Sequence, residues 1–188
     1  MLSAVGLGLR VFLLLVASVV LGLSVSLAKQ QVVGSVPTET GFSVFAGAAA
    51  FFASSVGMVA MWFDRVDQRI AMILDTLVST FYLAAAVSLT VALKPVSSCI
   101  ATDEVTEYSR MTNKITSGGC LTIDGELACL HATGPDGTDL TPARCEMAHA
   151  GYIFEYVGFI SGIAMVTACY LLSRQGRGGT PTPNRSYQ

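Results

Sequence analysis

Two carboxylates, Asp75 and Glu155, lie inside stretches that are otherwise apolar, IAMILDTLVSTFYLAAAVSLTVAL and MAHAGYIFEYVGFISGIAMVTACYLL. An acid in such surroundings costs several kcal/mol unless it has a counter-charge, a proton, water or a transport role. Arg10, in a third apolar stretch, supplies one cation of the matching kind. The cysteines Cys99, Cys120, Cys129 and Cys145 fall in one polar segment, and Cys169 falls in an apolar one. None of the four forms a CxxC, so neither a thiol oxidoreductase nor a zinc site is indicated. Four cysteines in one segment point instead to two disulfides on an oxidising side, with three connectivities open. Cys169 reads as a small buried apolar residue. His131 is a lone loop histidine. His149 stands six residues before Glu155, and no second metal ligand is recognised at helical spacing, so both read as surface or interface polarity. This inventory contains no convergent catalytic set, and the chain reads as non-enzymatic, with no cofactor and no metal.

The elements that must position these residues are membrane spans. The 188 residues are 52% hydrophobic and 13% charged, with a mean hydropathy of +0.60. Soluble domains carry roughly 25% charged residues. A net charge of −2 without a basic cluster excludes nucleic-acid binding. Four apolar runs are long enough to cross a bilayer, at about 5–28, 42–63, 70–93 and 147–172. Backbone groups in lipid must bond internally, which makes the runs helices and the fold an all-α four-helix membrane bundle. The first run also has features of a secretory signal, Arg10 before an apolar core and Ser26-Leu27-Ala28 as a cleavage site. Its length exceeds a signal core and favours a retained helix.

Orientation follows from charge and cysteine. With both termini in the cytosol, Arg10, Arg65, Arg69, Arg174, Arg177 and Arg185 fall in short inner segments. Lys29, Lys94, Arg110, Lys114 and Arg144 then spread through longer outer loops. The cysteine-bearing loop, 94–146, lies outside, as disulfides require. Within it, Thr102–Tyr108 predicts one or two helical turns, and Cys120–Cys129 predicts a hairpin about Asp124-Gly125. Cysteines at the two hairpin ends suit disulfide geometry. Its scattered acids lack EF-hand spacing and read as a solvated surface rather than a calcium site. The tail, 174–188, reads as disordered, and its Asn184-Arg185-Ser186 glycosylation triplet lies on the cytosolic side.

Small residues recur at four-residue spacing. Examples are Ser18, Gly22 and Ser26, then Ala53 and Gly57, then Ala84, Ser88 and Ala92, and the GxxxG of Gly158 and Gly162. Such faces serve helix packing, within one chain or between chains. Arg10 and Asp75 each lie about five residues from the cytosolic end of their helices, which at 1.5 Å per residue sets both roughly 7–8 Å deep. They are expected to pair. Glu155 has no basic residue opposite it and is the unpaired intramembrane acid.

The pattern of Leu9-Arg10-Val11 and Ile73-Leu74-Asp75-Thr76 resembles the MARVEL superfamily over residues 5–173. The outer-loop residues Ser98-Cys99, Glu107-Tyr108, Thr112–Thr116 and Arg144-Cys145-Glu146 are similar to the signature of its fungal non-classical-export branch. The segment from about 118 to 142 departs from that branch as an insertion with its own two cysteines. On that basis the resemblance implies the pairs Cys99–Cys145 and Cys120–Cys129. It also implies a non-enzymatic plasma-membrane organiser. Such a protein associates with membrane lipids, including sterol-rich regions, and with copies of itself or other membrane proteins, in trafficking or cell–cell apposition. It implies nothing about Glu155. The competing reading is an ion- or proton-conducting assembly that uses Asp75 and Glu155. No inverted repeat or broken helix marks such a path.

Overall fold

The computed structural model describes residues 2–62, 68–123, 126–129, 132–134 and 136–177. His131, the hairpin turn at 124–125, Arg65 and the tail from 178 onward, with its glycosylation triplet, lie outside these residues. Four long helices carry the fold: α1 (Leu2–Lys29), α2 (Thr38–Trp62), α3 (Gln68–Leu93) and α5 (Thr141–Arg177). A short helix, α4 (Glu104–Thr112), and a hairpin, β1 (Cys120–Ile123) with β2 (Glu126–Cys129), lie between α3 and α5. Each long helix contains a stretch long and apolar enough to cross a membrane.

The long helices form a ring in which α1 packs on α2 and α5, and α3 packs on the same two. Small residues at the contacts allow this close approach. Ala17, Ala46, Ala50 and Ala85 are fully or almost fully buried around Val16, Val20 and Tyr82. A Cβ at Gly47 of α2 would stand 3.0 Å from the backbone nitrogen of Leu21 in α1, so glycine sets that spacing. The large apolar side chains point the other way. Leu15, Phe52, Ile73, Val91 and Ile160 are each at least 60% exposed, the inverse of a soluble bundle. Only 28–39% of an 18-residue apolar stretch in each candidate span is buried within the protein. The remaining apolar surface suits lipid.

The ends of α1 and α3 and the starts of α2 and α5 meet at one end of the bundle, under the long loop. There α5 begins at Thr141, before the apolar run starts at Met147. Asp139 caps it, accepting from the Thr141 amide at 2.8 Å and its hydroxyl at 3.0 Å, and Pro142 follows in the first turn, where a missing N–H costs little. The other end of α5 runs to Arg177, past the 172 at which the apolar run stops. The predicted helical turns in the loop are α4. Its cap Asp103 accepts from the Thr106 amide at 3.0 Å and hydroxyl at 2.7 Å. The predicted hairpin is present, with Cys120 opposite Cys129 and Ile123 opposite Glu126. The disulfides are Cys120–Cys129, which closes the hairpin, and Cys99–Cys145, which ties the α3–α4 connection to α5.

Arg144 locks this end. It is 1% exposed. Its Nε and Nη2 donate to the Ile115 carbonyl at 3.1 and 2.8 Å, and Nη1 reaches the Leu27 carbonyl at 3.4 Å. Nη2 also reaches Gln31 Oε1 at 3.3 Å. Leu27 lies in the last turn of α1, where unpaired carbonyls and the helix dipole favour a cation. Nearby, Asn113 Nδ2 donates to the Ala92 carbonyl near the end of α3 at 2.7 Å, and Ile115 is fully buried among Leu27, Leu89, Leu93 and Ala148.

Arg144→Met should destabilise the protein by roughly 2–4 kcal/mol, because buried carbonyls lose their donor. Denaturant unfolding in detergent would measure this. Arg144→Lys should recover only part of the loss, since a single ammonium does not reproduce the guanidinium fork. At α4, hydrogen bonds from the Thr106 hydroxyl and amide hold the Asp103 carboxyl below its ordinary value. A depressed folded value means that the cap's stabilisation is present above the ordinary carboxylate range and lost as pH falls through the folded value. Amide exchange across α4, corrected for intrinsic rates, should therefore accelerate below about pH 4. Asp103→Asn should flatten that dependence.

Candidate functional site

The polar groups inside the bundle fall into two linked clusters. At the end opposite the disulfides, Arg10 of α1 meets Asp75 of α3. Nη1 donates to Oδ1 and Nη2 to Oδ2, both at 2.6 Å, a bidentate fork. The residues are 2% and 6% exposed. This burial removes the solvent screening that weakens surface pairs, and it makes the loss of either partner costly. A Cβ on Gly57 of α2 would overlap the Arg10 guanidinium, so Gly57 supplies the space in which the arginine lies. In the sequence Gly57 is visible only as one more small residue. Arg10 Nε lacks a hydrogen-bond partner among the described residues.

One turn further along α3, Ser79 bonds back to the Asp75 carbonyl at 2.7 Å. Here the GxxxG of α5 packs on α3 within the same chain. A Cβ at Gly162 would run into the Ser79 hydroxyl, and one at Gly158 would stand 2.7 Å from the Tyr82 ring. Gly158 and Gly162 are therefore spent on internal packing. A cavity of about 10 Å³ remains between Ser54, Asp75, Ser79, Tyr82 and the two glycines. That is about the smallest space that admits one water.

Beyond the cavity lies the second cluster. Glu155 is fully buried (0% exposed), and neither Oε1 nor Oε2 has a hydrogen-bond partner among the described residues. Ser43 of α2 and Tyr82 of α3 lie close enough to act on its charge. Their own buried oxygens also lack hydrogen-bond partners. Arg10 is engaged with Asp75, so three helices converge on one carboxyl without an ion pair. Tyr82 falls seven residues after Asp75, on the same face of α3, whereas nothing in the sequence ties Ser43 to Glu155. The available signal was a serine at the second position of the apolar run that begins at Phe42.

At the loop end, the reading of His149 as having no ligand at helical spacing needs correction. Cys145 stands one turn before it, and the ligand atoms of Cys99, Cys145 and His149 all lie within 4.8 Å of one another. Both sulfurs are spent in the Cys99–Cys145 bond. Cys169 is buried beside Leu13 and Met165.

Asp75→Asn should cost about 3–5 kcal/mol, because it leaves Arg10 buried without its counter-charge. Joint replacement of Arg10 and Asp75 by leucine should cost less than the two single losses added, which a double-mutant cycle in detergent would measure. Gly57→Ala should disturb the same pair by overpacking, at about 1–3 kcal/mol.

Four apolar helices, a buried Arg–Asp fork between the first and third, and a disulfide-bonded loop before the last make up a tetraspan membrane protein. No curated protein and no solved structure matches the chain. The family model described as "MARVEL: Membrane-associating domain" matches residues 3–171. That match covers most of the 188 residues, so the chain belongs to the MARVEL membrane-associating family.

Proposed function

We propose that this chain is a plasma-membrane scaffold that organises lateral microdomains and takes part in trafficking or non-classical export, with both termini in the cytosol. The observation that carries this reading is the division of labour in the bundle. The intramembrane charge pair and the GxxxG face are used to hold the four helices together, and most of the span surface is left apolar and outward-facing. Such a surface contacts lipid, sterol or neighbouring proteins through shape rather than chemistry. On α2 it is aromatic. Phe45 and Phe52 are 53% and 69% exposed, and Phe45 packs edge-on against Phe81 of α3 at 5.4 Å. This face suits self-association or a flat sterol ring. The disulfides support an outside loop, and the loop's likeness to the fungal export branch supports that subfamily. The role is non-enzymatic.

Crosslinking in native membranes should produce a ladder of oligomers, with a punctate surface distribution. Phe52→Ser should shorten the ladder with little change in unfolding, whereas Phe45→Ser also loses the Phe81 contact and should cost about 0.5–1.5 kcal/mol of stability as well. A monomer band with diffuse staining in the unmodified protein would overturn the reading.

Glu155 favours a second reading, a proton- or ion-conducting assembly, because its oxygens have no hydrogen-bond partner among the described residues. In proteoliposomes that reading expects a flux abolished by Glu155→Gln. Absence of flux, or the same flux in the variant, would remove it.

A further inference from the structure

At the disulfide end, α3 and α5 leave a groove of about 410 Å³ between them. Lys94, His149, Tyr152 and Thr90 line it together with Val91. Its size falls within the range of small-molecule sites. Lys94 directly follows Leu93, the last residue of a candidate span. Tyr152 and His149 lie at a matching level on α5, since a Cβ on the intervening Gly151 would touch Leu89 of α3 at 3.9 Å. The groove therefore opens at the boundary between hydrocarbon and headgroups, where lysine and tyrosine are favoured.

The groove is ordered by depth. Its rim carries donors, the Lys94 ammonium and the His149 ring. The two ion pairs among the described residues are Arg10–Asp75 and Lys114–Glu39, so Lys94 belongs to neither. The surrounding loop is rich in acids, but none of them lines the groove, Glu146 of α5 included. The wall is an aromatic run on α5, with His149 and Tyr152 ring centres 5.3 Å apart and Tyr152 and Tyr156 6.3 Å apart. Tyr156 and Thr90 join the two helices by a hydroxyl contact of 3.4 Å. On α3, Val91 stands level with this aromatic run and Val87 lies one turn deeper in the membrane; they are 65% and 45% exposed.

A cationic rim, an aromatic collar and an apolar track match phosphate, glycerol backbone and acyl chain in order. We propose that this groove binds one glycerophospholipid from the leaflet on the disulfide side, with its phosphate on Lys94 and His149 and an acyl chain along Val91 and Val87. A sterol brings only a neutral hydroxyl and leaves the ammonium without a counter-charge. The inference rests on α3 and α5 spanning the bilayer and is independent of the scaffold reading. Loss of oligomers and loss of lipid are separate results.

Native mass spectrometry of the delipidated full chain tests it, with phosphatidylcholine, diacylglycerol, a sterol or inorganic phosphate added in turn. Phosphatidylcholine should be retained in one copy, and diacylglycerol and sterol should bind much more weakly. Lys94→Gln with His149→Gln should weaken retention roughly tenfold or more, the loss expected for charge-assisted contacts to phosphate. His149 adjoins a disulfide, so the exposed Lys94→Gln alone, expected to lose several-fold, keeps the test open if the double variant misfolds. Retention of diacylglycerol or sterol equal to phosphatidylcholine would overturn the proposal. So would unchanged retention in Lys94→Gln, which marks annular lipid only, or binding of inorganic phosphate with no preference for the lipid.

Discussion

A bilayer supplies no hydrogen-bond partners, so every polar group carried into it must be answered by another part of the same protein. In this bundle that demand falls most heavily on Arg10, whose charged head lies in the interior. Asp75 answers it with a bidentate fork, and Gly57 of α2 leaves the volume that the guanidinium fills. Three helices are thereby held in register about one side chain. Alanines and glycines elsewhere bring the backbones close enough for the fork to form, because apolar attraction between helices is weak in lipid.

The opposite end solves the same problem differently. Arg144 is as buried as Arg10, but it meets carbonyls rather than a carboxylate. Its partners are Ile115 in the loop and Leu27 in the last turn of α1. One side chain thus connects the first helix, the loop and the last helix. The Cys99–Cys145 bond at the adjacent residue ties in the segment after α3. The bundle is pinned electrostatically at one end and by hydrogen bonds and covalent bonds at the other.

Glu155 lies between these anchors and follows neither pattern. Ser43 and Tyr82 turn polar atoms into the same interior region, and a cavity of about 10 Å³ separates this cluster from the Asp75 side. The rest of the intramembrane chemistry is committed to assembly. What remains outward is the apolar span surface and the groove lined by Lys94, His149 and Tyr152.

Properties that depend on local physics were legible in the sequence. Span length follows from hydropathy, and a helix rises by a constant step per residue, so the equal depths of Arg10 and Asp75 could be counted before any fold was known. Turn residues and cysteines placed the hairpin. The MARVEL resemblance rested on residues scattered along the whole chain. What depends on how helices rotate about their axes was not legible. The role of Arg144 was hidden because its partners are backbone carbonyls, which every residue has. The start of α5 at Thr141 was hidden because its first turn is polar and depends on a cap from Asp139. Gly57, Ser43 and the closeness of His149 to Cys99 were hidden for one reason: each is defined by a neighbour on another helix or loop. The chain by itself determined which segments cross the membrane and which charges they carry. The tertiary structure alone decided which side chains face one another, because that depends on rotation and contact between distant segments.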